Sequence, residues 1–459
     1  MEKRENIMGT MPIPKLLFQL SLPMVLSVLI QSLYNLVDSI FVGRMGDKAL
    51  TAISLTAPVS MIMLSVGFGL SIGVNALLSL RLGEKNQGAV DKTAGNGLFL
   101  VLAGTAVFML LGFFAVEPFY RMQTADPEIF TMSVDYTRII MIFSVGLMVQ
   151  TLVERLLSAT GKTLGSMLIL SSGAVINLIL DPILIFGYFG LPAMGIRGAA
   201  IATVIGQIFG AALGLALNVM WNKEIRLYIK NLVPDRKLIK EIITIAIPAT
   251  LTYAISSILT FVLNIILIGF SSVAPAVYIV YSRIQSFIVM PVWGVRNTIV
   301  SVIAYNMGAN QKQRVRETIR VSLYTAVVIM LIGTLLFESV PTILLDAFSA
   351  SDVMKEIGIP ALRIIGITLV LNGMSVMFSG IFQSMNNSDK AFIGSVVQTA
   401  VTIAAAYLLS LTGNLMLVWL AFPIAEICVF LVNLVFYRKL HRETFAEPTI
   451  ELGQETFNI

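Results

Sequence analysis

The stretch SLPMVLSVLIQSLYNLVDSIFVGRMG, residues 21–46, carries one charged side chain, Asp38, in its first 23 positions. With the apolar residues before it, it predicts a helix over 16–43. A helix needs about 20 apolar residues to cross the hydrocarbon core of a bilayer, so this run is long enough to span. Runs of the same kind recur to the far end of the chain. Over its 459 residues, 57% are hydrophobic and 12% charged, where a soluble protein carries roughly a quarter charged residues. The chain therefore reads as an all-α integral membrane protein. A soluble enzyme, a secreted disulfide scaffold and a disordered chain are excluded. The one cysteine, Cys428, permits no internal disulfide, and the one histidine, His441, is expected in a solvated C-terminal tail.

Twelve spans are predicted, at 16–43, 52–80, 93–117, 135–158, 165–187, 194–219, 240–269, 276–304, 318–342, 359–384, 392–412 and 415–437. The first is too long for a cleaved signal peptide and lacks a small-residue cleavage site. With the N-terminus inside, the inner segments hold 21 of the 31 Lys and Arg residues and the outer ones 5. Basic residues concentrate in cytoplasmic loops, so both termini are expected in the cytoplasm. The net charge of +5 then reports loops rather than a nucleic-acid partner.

The sequence matches itself at a shift of 225. Pro23 falls on Pro248, Ala49 on Ala274, Gly69 on Gly294 and Gly83 on Gly308. The segment RLGEKNQGAVDKT at 81–93 aligns with NMGANQKQRVRET at 306–318, and Arg138-Ile139-Ile140 with Arg363-Ile364-Ile365. Proline, glycine and arginine at one constant offset are not expected from apolar bias alone. Each half has six spans in the same orientation, which makes the repeat a parallel one. The expected organisation is an N-lobe at 1–220, a cytoplasmic linker at 221–240 and a C-lobe at 241–459. A cleft between two such lobes suits alternating access by rocking.

Carboxylates within spans are expensive, and they mark function by default. Asp38, Glu154 and Asp181 fall on Leu263, Ser379 and Ala406 at the repeat offset, so the first lobe carries acids that the second lacks. A purely architectural acid would be expected in both. Counting 1.5 Å per residue along helices of alternating direction puts Asp38, Asn177, Asp181 and Thr203 at similar depth. Asn177 and Asp181 share a helix face. These are hard oxygen ligands, suited to a small cation or to a shared proton, or to a polar patch that ties helices together. Glu154 is expected near the inner end of the fourth span, as an additional coupling or substrate acid or as the partner of Arg155. Glu426 reads as structural, and Arg283 and Arg296 have no role assigned. Pro23 and Pro248 are expected to kink their helices, Pro23 as a hinge on the helix of Asp38. Tyr253, Phe261, Tyr278, Tyr281, Phe287, Met290 and Trp293 form a candidate substrate-lining set, since aromatic faces attract organic cations and Met adapts to varied shapes. Gly67, Gly69 and Gly73 in GFGLSIG read as close helix packing. With no phosphate loop and no nucleophile–base constellation, an enzyme is not expected.

Twelve spans in two parallel halves, with SLPMVLSVLIQSLYNLVDSIFVGRMG, NLILDPILIFG (177–187) and GIRGAAIATVIGQ (195–207), resemble the multidrug and toxic compound extrusion (MATE) family, and within it the MepA-like bacterial exporters. The resemblance covers nearly the whole chain. It implies a multi-pass cell-membrane antiporter without a cofactor, in which H⁺ or Na⁺ enters and cationic amphipathic drugs leave; a monomer is expected, since each chain supplies both lobes. It implies cation coupling at Asp38, Asn177, Asp181 and Thr203, the same four holding the metal ion if the coupling ion is Na⁺. Tyr34 and Pro23 match supporting positions on the first helix, and Glu154 matches an acid of the MepA-like branch. Relatives with acids on helices seven and ten carry a cation site in the second lobe; in this chain the interior of those two spans, 242–269 and 359–384, holds none. A flippase for lipids or lipid-linked precursors, of the same superfamily, is the alternative.

Overall fold

The computed structural model describes residues 6–271, 273–348 and 351–445. Lys3 and Arg4 of the charge count lie outside them. The chain is built of helices, and we number the spanning ones α1 to α12. They are α1 Ile13–Gly43, α2 Asp47–Gly83, α3 Gln87–Phe114, α4 Pro127–Ile142 with Val145–Ala159, α5 Thr163–Phe186 and α6 Ile196–Trp221. The second half holds α7 Arg236–Ile268, α8 Ala274–Gly308, α9 Lys312–Ser339, α10 Asp352–Gly366 with Leu369–Ser384, α11 Ser388–Ser410 and α12 Ala421–Phe445. Ten of these are long and apolar enough to cross a membrane singly. The two halves of α4 and of α10, bent by 46° and 54°, complete twelve.

The repeat is written into the helix boundaries. Gln87–Phe114 maps onto Lys312–Ser339 at the same offset of 225 residues, and the short connecting helix Val116–Arg121 maps onto Pro341–Asp346. Left-handed backbone recurs likewise at Lys85 and Asn310 and at Gly161 and Asn386. The prolines repeat with their local chemistry. Pro23 and Pro248 each lack the N–H of the helical ladder, and the Ser27 and Thr252 hydroxyls each donate 2.8 Å to the proline carbonyl.

Two apolar clusters fill the bundle. One is drawn from residues 63–246, the other from 263–445 together with Met8, Ile13, Leu16, Leu17 and Leu20. The beginning of α1 thus packs with the second half of the chain. Helices α2 and α8 are the most buried spans. Their glycines are the reason: a side chain at Gly69 would meet the Ala246 carbonyl at 2.9 Å, and one at Gly73 the Ile242 carbonyl at 2.7 Å. The GFGLSIG motif is therefore a close-packing segment, with Gly69 and Gly73 against α7 and Gly67 against Met148 and Thr151 of α4.

One end of the bundle is closed by a seam between the halves. Gly83 and Gly308 cross there with backbone against backbone. Arg81 pairs with Glu241 at 3.1 Å, and Ser301 Oγ donates to Asn75 Oδ1 at 3.0 Å. A short helix, Ile7–Thr10, bolts the seam. Asn6 Nδ2 donates to the Thr160 carbonyl of the first half (3.2 Å) and to Glu224 Oε2 in the segment between the halves (2.8 Å). From the second half Asn306 Nδ2 donates to the Met8 carbonyl (3.0 Å), and Arg314 Nη2 to the Met8 and Met11 carbonyls (2.9 and 2.7 Å). Charge-assisted bonds of this kind contribute about 1.5–3 kcal/mol each. Arg314→Ala should therefore raise hydrogen exchange of segment 6–11 at least tenfold in the detergent-solubilised protein; unchanged exchange would show that the bolt carries no stability.

Candidate functional site

A cavity of about 310 Å³ opens in the first half, walled by α1, α2, α4, α5 and α6. Asp38, Tyr34, Asn177 and Thr203 line it, and Asp181 sits one turn from Asn177, fully buried. Helix periodicity brings the last two together, because a spacing of four residues places both on the face that α5 turns inward. The Asp38 and Asp181 carboxyls lie within hydrogen-bonding reach of each other. Asn177 Nδ2 donates to Thr203 Oγ1 at 3.1 Å. Thr203 is also within reach of the Tyr34 and Tyr136 hydroxyls. The four residues expected from depth alone do meet, and Tyr34 joins them.

The acceptors outnumber the donors. Both Asp181 oxygens and Asn177 Oδ1 are buried with no fixed donor. Two facing carboxylates repel, and a buried polar atom without a partner costs about 1–3 kcal/mol. Positive charge would satisfy such a cluster, either as a proton shared between the carboxyls or as a small cation held by oxygens. Among the described residues no group of three or more His, Cys, Asp or Glu gathers anywhere. The donor set here is two carboxyls with an amide and hydroxyls, which is the oxygen chemistry of monovalent coupling ions rather than of soft metals.

Sequence reading missed Tyr136, Gln31, Gln150 and Gln207, which line the same cavity. The glutamines were findable, as lone amides within apolar runs. Tyr136 was not: it lies near the start of α4 among polar residues, where an interfacial tyrosine is the ordinary expectation.

Glu154 lies elsewhere. It is 1% exposed and pairs with Arg155, 5% exposed, at 3.0 Å. The Arg155 N–H is not aligned for a hydrogen bond, and Glu154 Oε1 also lacks a donor, so the contact is an ion pair. One turn earlier on α4, Gln150 and Thr151 reach the cavity wall; Glu154 does not. Removing one partner of a buried pair strands the other charge, at about 3–5 kcal/mol. Glu154→Gln should lower the melting temperature in detergent by several degrees, and Glu154→Gln with Arg155→Met should recover most of it. A single variant as stable as the parent would contradict this.

A second cavity, of about 510 Å³, lies among α7, α8, α10, α11 and α12. Of the aromatic set, Tyr253 and Trp293 line it. Phe68 of α2, on the wall of the first cavity, stacks on Tyr253 at 5.9 Å, and Tyr253 lies 6.1 Å from Trp293. An aromatic row thus separates the two cavities. The rest of the set lies elsewhere. Tyr278 and Tyr281 pack with Phe422 in a buried ring cluster. Phe261 is 68% exposed on the outside of the bundle, and Phe287 is 42% exposed. Met290 is buried and lies on neither wall. Rotation about α8 turns Phe287 and Met290 away from the stripe of Gln285, Val289, Trp293 and Arg296 on the cavity face, whereas Tyr278 and Tyr281 share that face and are set apart by depth, one and two turns before the cavity begins. Glu426 Oε1 accepts from Asn372 Nδ2 (2.8 Å) and Gln398 Nε2 (2.6 Å), while its Oε2 is buried without a partner. His441 belongs to the last turns of α12 rather than to a solvated tail, against the rings of Tyr437 and Phe445.

The profile of the MatE family matches residues 23–183 and 248–427, one segment in each half. The multidrug export protein MepA of Staphylococcus aureus strain N315 is 26% identical over 444 residues, covering 96% of this chain and 97% of that protein. The protein of the same name from Staphylococcus haemolyticus is 25% identical over 438 residues, covering 95% and 96%. A solved structure described as an outward-facing conformation of a multidrug resistance MATE family transporter of the MOP superfamily superposes with a TM-score of 0.90. It shares 23% identity and covers 96% of this chain and 99% of its own.

Proposed function

The chain belongs to the MatE family, and from that premise we propose that it is a cation-coupled antiporter, exporting amphipathic organic cations by alternating access. It is a multi-pass membrane transporter for multiple drugs, not an enzyme. The observation that carries the coupled reading is the cluster of orphaned acceptors, Asp181 Oδ1 and Oδ2 with Asn177 Oδ1, facing Asp38. A proton or Na⁺ completes that cluster when bound. A cationic drug reaching the same cavity competes for the same charge, and competition of this kind yields exchange. Each charge that enters in excess of the drug's own gains roughly 3.5 kcal/mol across about 150 mV, enough for a drug gradient of a few hundred-fold; in a one-for-one exchange of cations the ion's concentration gradient alone is the drive.

Orientation follows from charge. The closed end bears the basic loops around Arg81, Lys162, Lys223 and Arg314, which supports a cytoplasmic seam with both termini on that side. The lobes at 1–220 and 241–459 rock about the linker at 221–240, and Pro23 serves as the hinge of α1. The chain acts as a monomer, since it supplies both halves.

The test is ethidium efflux from proteoliposomes, with a pH gradient and a Na⁺ gradient imposed in separate experiments. Efflux driven by one gradient names the ion. Ethidium movement indifferent to both gradients would overturn the coupled reading.

A further inference from the structure

The segment that joins the halves is rich in positive charge. Between 221 and 240 stand six basic residues and two acids, Glu224 and Asp235. It is no slack tether, because α3 holds it as a fixed shelf. Gln87 Nε2 donates to the Glu224 carbonyl (2.8 Å), and Asn96 Nδ2 to the Asn231 and Val233 carbonyls (3.4 and 3.5 Å). In return Asp91 Oδ1 accepts from the Arg226 N–H (3.0 Å), and Asn96 Oδ1 from the Asp235 N–H (2.8 Å). Gly95 leaves no room between α3 and the Asn231 backbone. These anchors all belong to the first half.

The acids serve this scaffold rather than the cations. Glu224 accepts from Asn6 of the bolt, and Asp235 caps α7 by accepting from the Lys237 and Leu238 N–H groups. Asp91 attracts Arg226 but is itself buried. All six basic side chains of the segment are exposed, and among the described residues no carboxylate forms an ion pair with any of them. Three gather with an aromatic ring: Arg226 Nη1 donates to the Tyr228 hydroxyl at 3.4 Å, Lys230 Nζ lies 5.1 Å from the centre of the Tyr228 ring, and Lys223 precedes them. Trp221, Tyr228 and Val233 are exposed large hydrophobics on the same segment, and Trp221 ends α6, where the chain leaves the hydrocarbon.

We propose that this shelf binds the headgroups of anionic lipids in the inner leaflet, through Lys223, Arg226 and Lys230, with Trp221 and Tyr228 at the edge of the acyl chains. The proposal rests on the cytoplasmic orientation given above. Basic side chains beside a span are drawn to an anionic leaflet, and tryptophan and tyrosine settle at the level of the headgroups. Exposed rings beside exposed cations suit a partner that is anionic at one level and apolar at the next, which a lipid is and a free phosphate is not. The contact fixes the first half in the inner leaflet, since the anchors of the shelf lie in that half.

The test uses the full-length protein in mixed micelles, where neither transport nor orientation enters, so its failure is distinct from failure of the antiporter reading. The probes are phosphatidylglycerol and phosphatidylcholine with brominated acyl chains. The signal is quenching of Trp221, taken as the difference between each protein and the same protein with Trp221→Phe. Each basic residue near a lipid surface strengthens binding about fivefold, so the wild type should prefer the glycerol lipid at least tenfold. Lys223→Gln with Arg226→Gln and Lys230→Gln should abolish that preference and leave quenching by the choline lipid unchanged, which shows the variant folded. Lys312→Gln with Arg320→Gln and Lys439→Gln removes as much charge elsewhere on the inner side and should keep the preference. Equal quenching of the wild type by both lipids would overturn the proposal, as would a preference that survives the first triple variant or is lost in the second. Displacement of the lipid by sn-glycerol 3-phosphate would show a free-phosphate site and overturn the lipid assignment.

Discussion

Asp38→Asn is expected to reduce gradient-driven ethidium efflux to the rate of protein-free liposomes while leaving the protein folded. Asn keeps the volume of Asp, so the packing of α1 against α5 survives and the melting temperature should stay within a few degrees of the parent. What is lost is the second carboxyl. In the proposed coupling the Asp38 and Asp181 pair takes up the incoming positive charge, because two acids face each other. An amide opposite Asp181 donates a hydrogen bond itself and satisfies one of its orphaned oxygens. The variant should therefore hold one state regardless of the gradient. Efflux at the parental rate would remove Asp38 from the coupling step.

Gly83 and Gly308 should be nearly as intolerant, for a steric reason. A side chain added at Gly83 meets the backbone of Tyr305 and comes within 2.8 Å of the Ala309 nitrogen; one at Gly308 meets the Leu80 carbonyl. Backbone cannot swing aside as a flexible side chain does, so the halves must part. Overpacking of this kind costs about 1–3 kcal/mol, levied on the closed state alone. Gly83→Ala and Gly308→Ala should each slow efflux at least tenfold, and the double variant should be little worse, since either one already holds the seam open. Hydrogen exchange at the ends of α2 and α8 should rise in parallel. Parental transport by Gly83→Val would show that this crossing does not have to close during the cycle.

Much of this was legible in the residues. The repeat could be read because proline, glycine and arginine recur at one offset, and these residues have positional meaning in a helix that Ile and Leu lack. The depth of Asp38, Asn177, Asp181 and Thr203 followed from helix rise alone. The bends inside α4 and α10 could not be read: they fall at Phe143–Ser144 and Ile367–Thr368, where no proline breaks the ladder. The bolt at Ile7–Thr10 was equally hidden, because its bonds join residues 154 to 306 apart in sequence and mostly end on backbone carbonyls that any residue would supply. The aromatic stripe misled in part. Composition gathered Tyr278, Tyr281, Tyr253 and Trp293 into one set, and only depth along α8 divides the core tyrosines from Trp293 at the cavity.

The most direct measurement of the central claim is ethidium affinity in the detergent-solubilised protein as a function of pH and of Na⁺, for the wild type and Asp181→Asn. If the two acids are where drug and coupling ion compete, wild-type affinity falls at least tenfold as one of the two ions rises, and the variant is flat against that ion. A wild-type affinity independent of both ions would contradict the account.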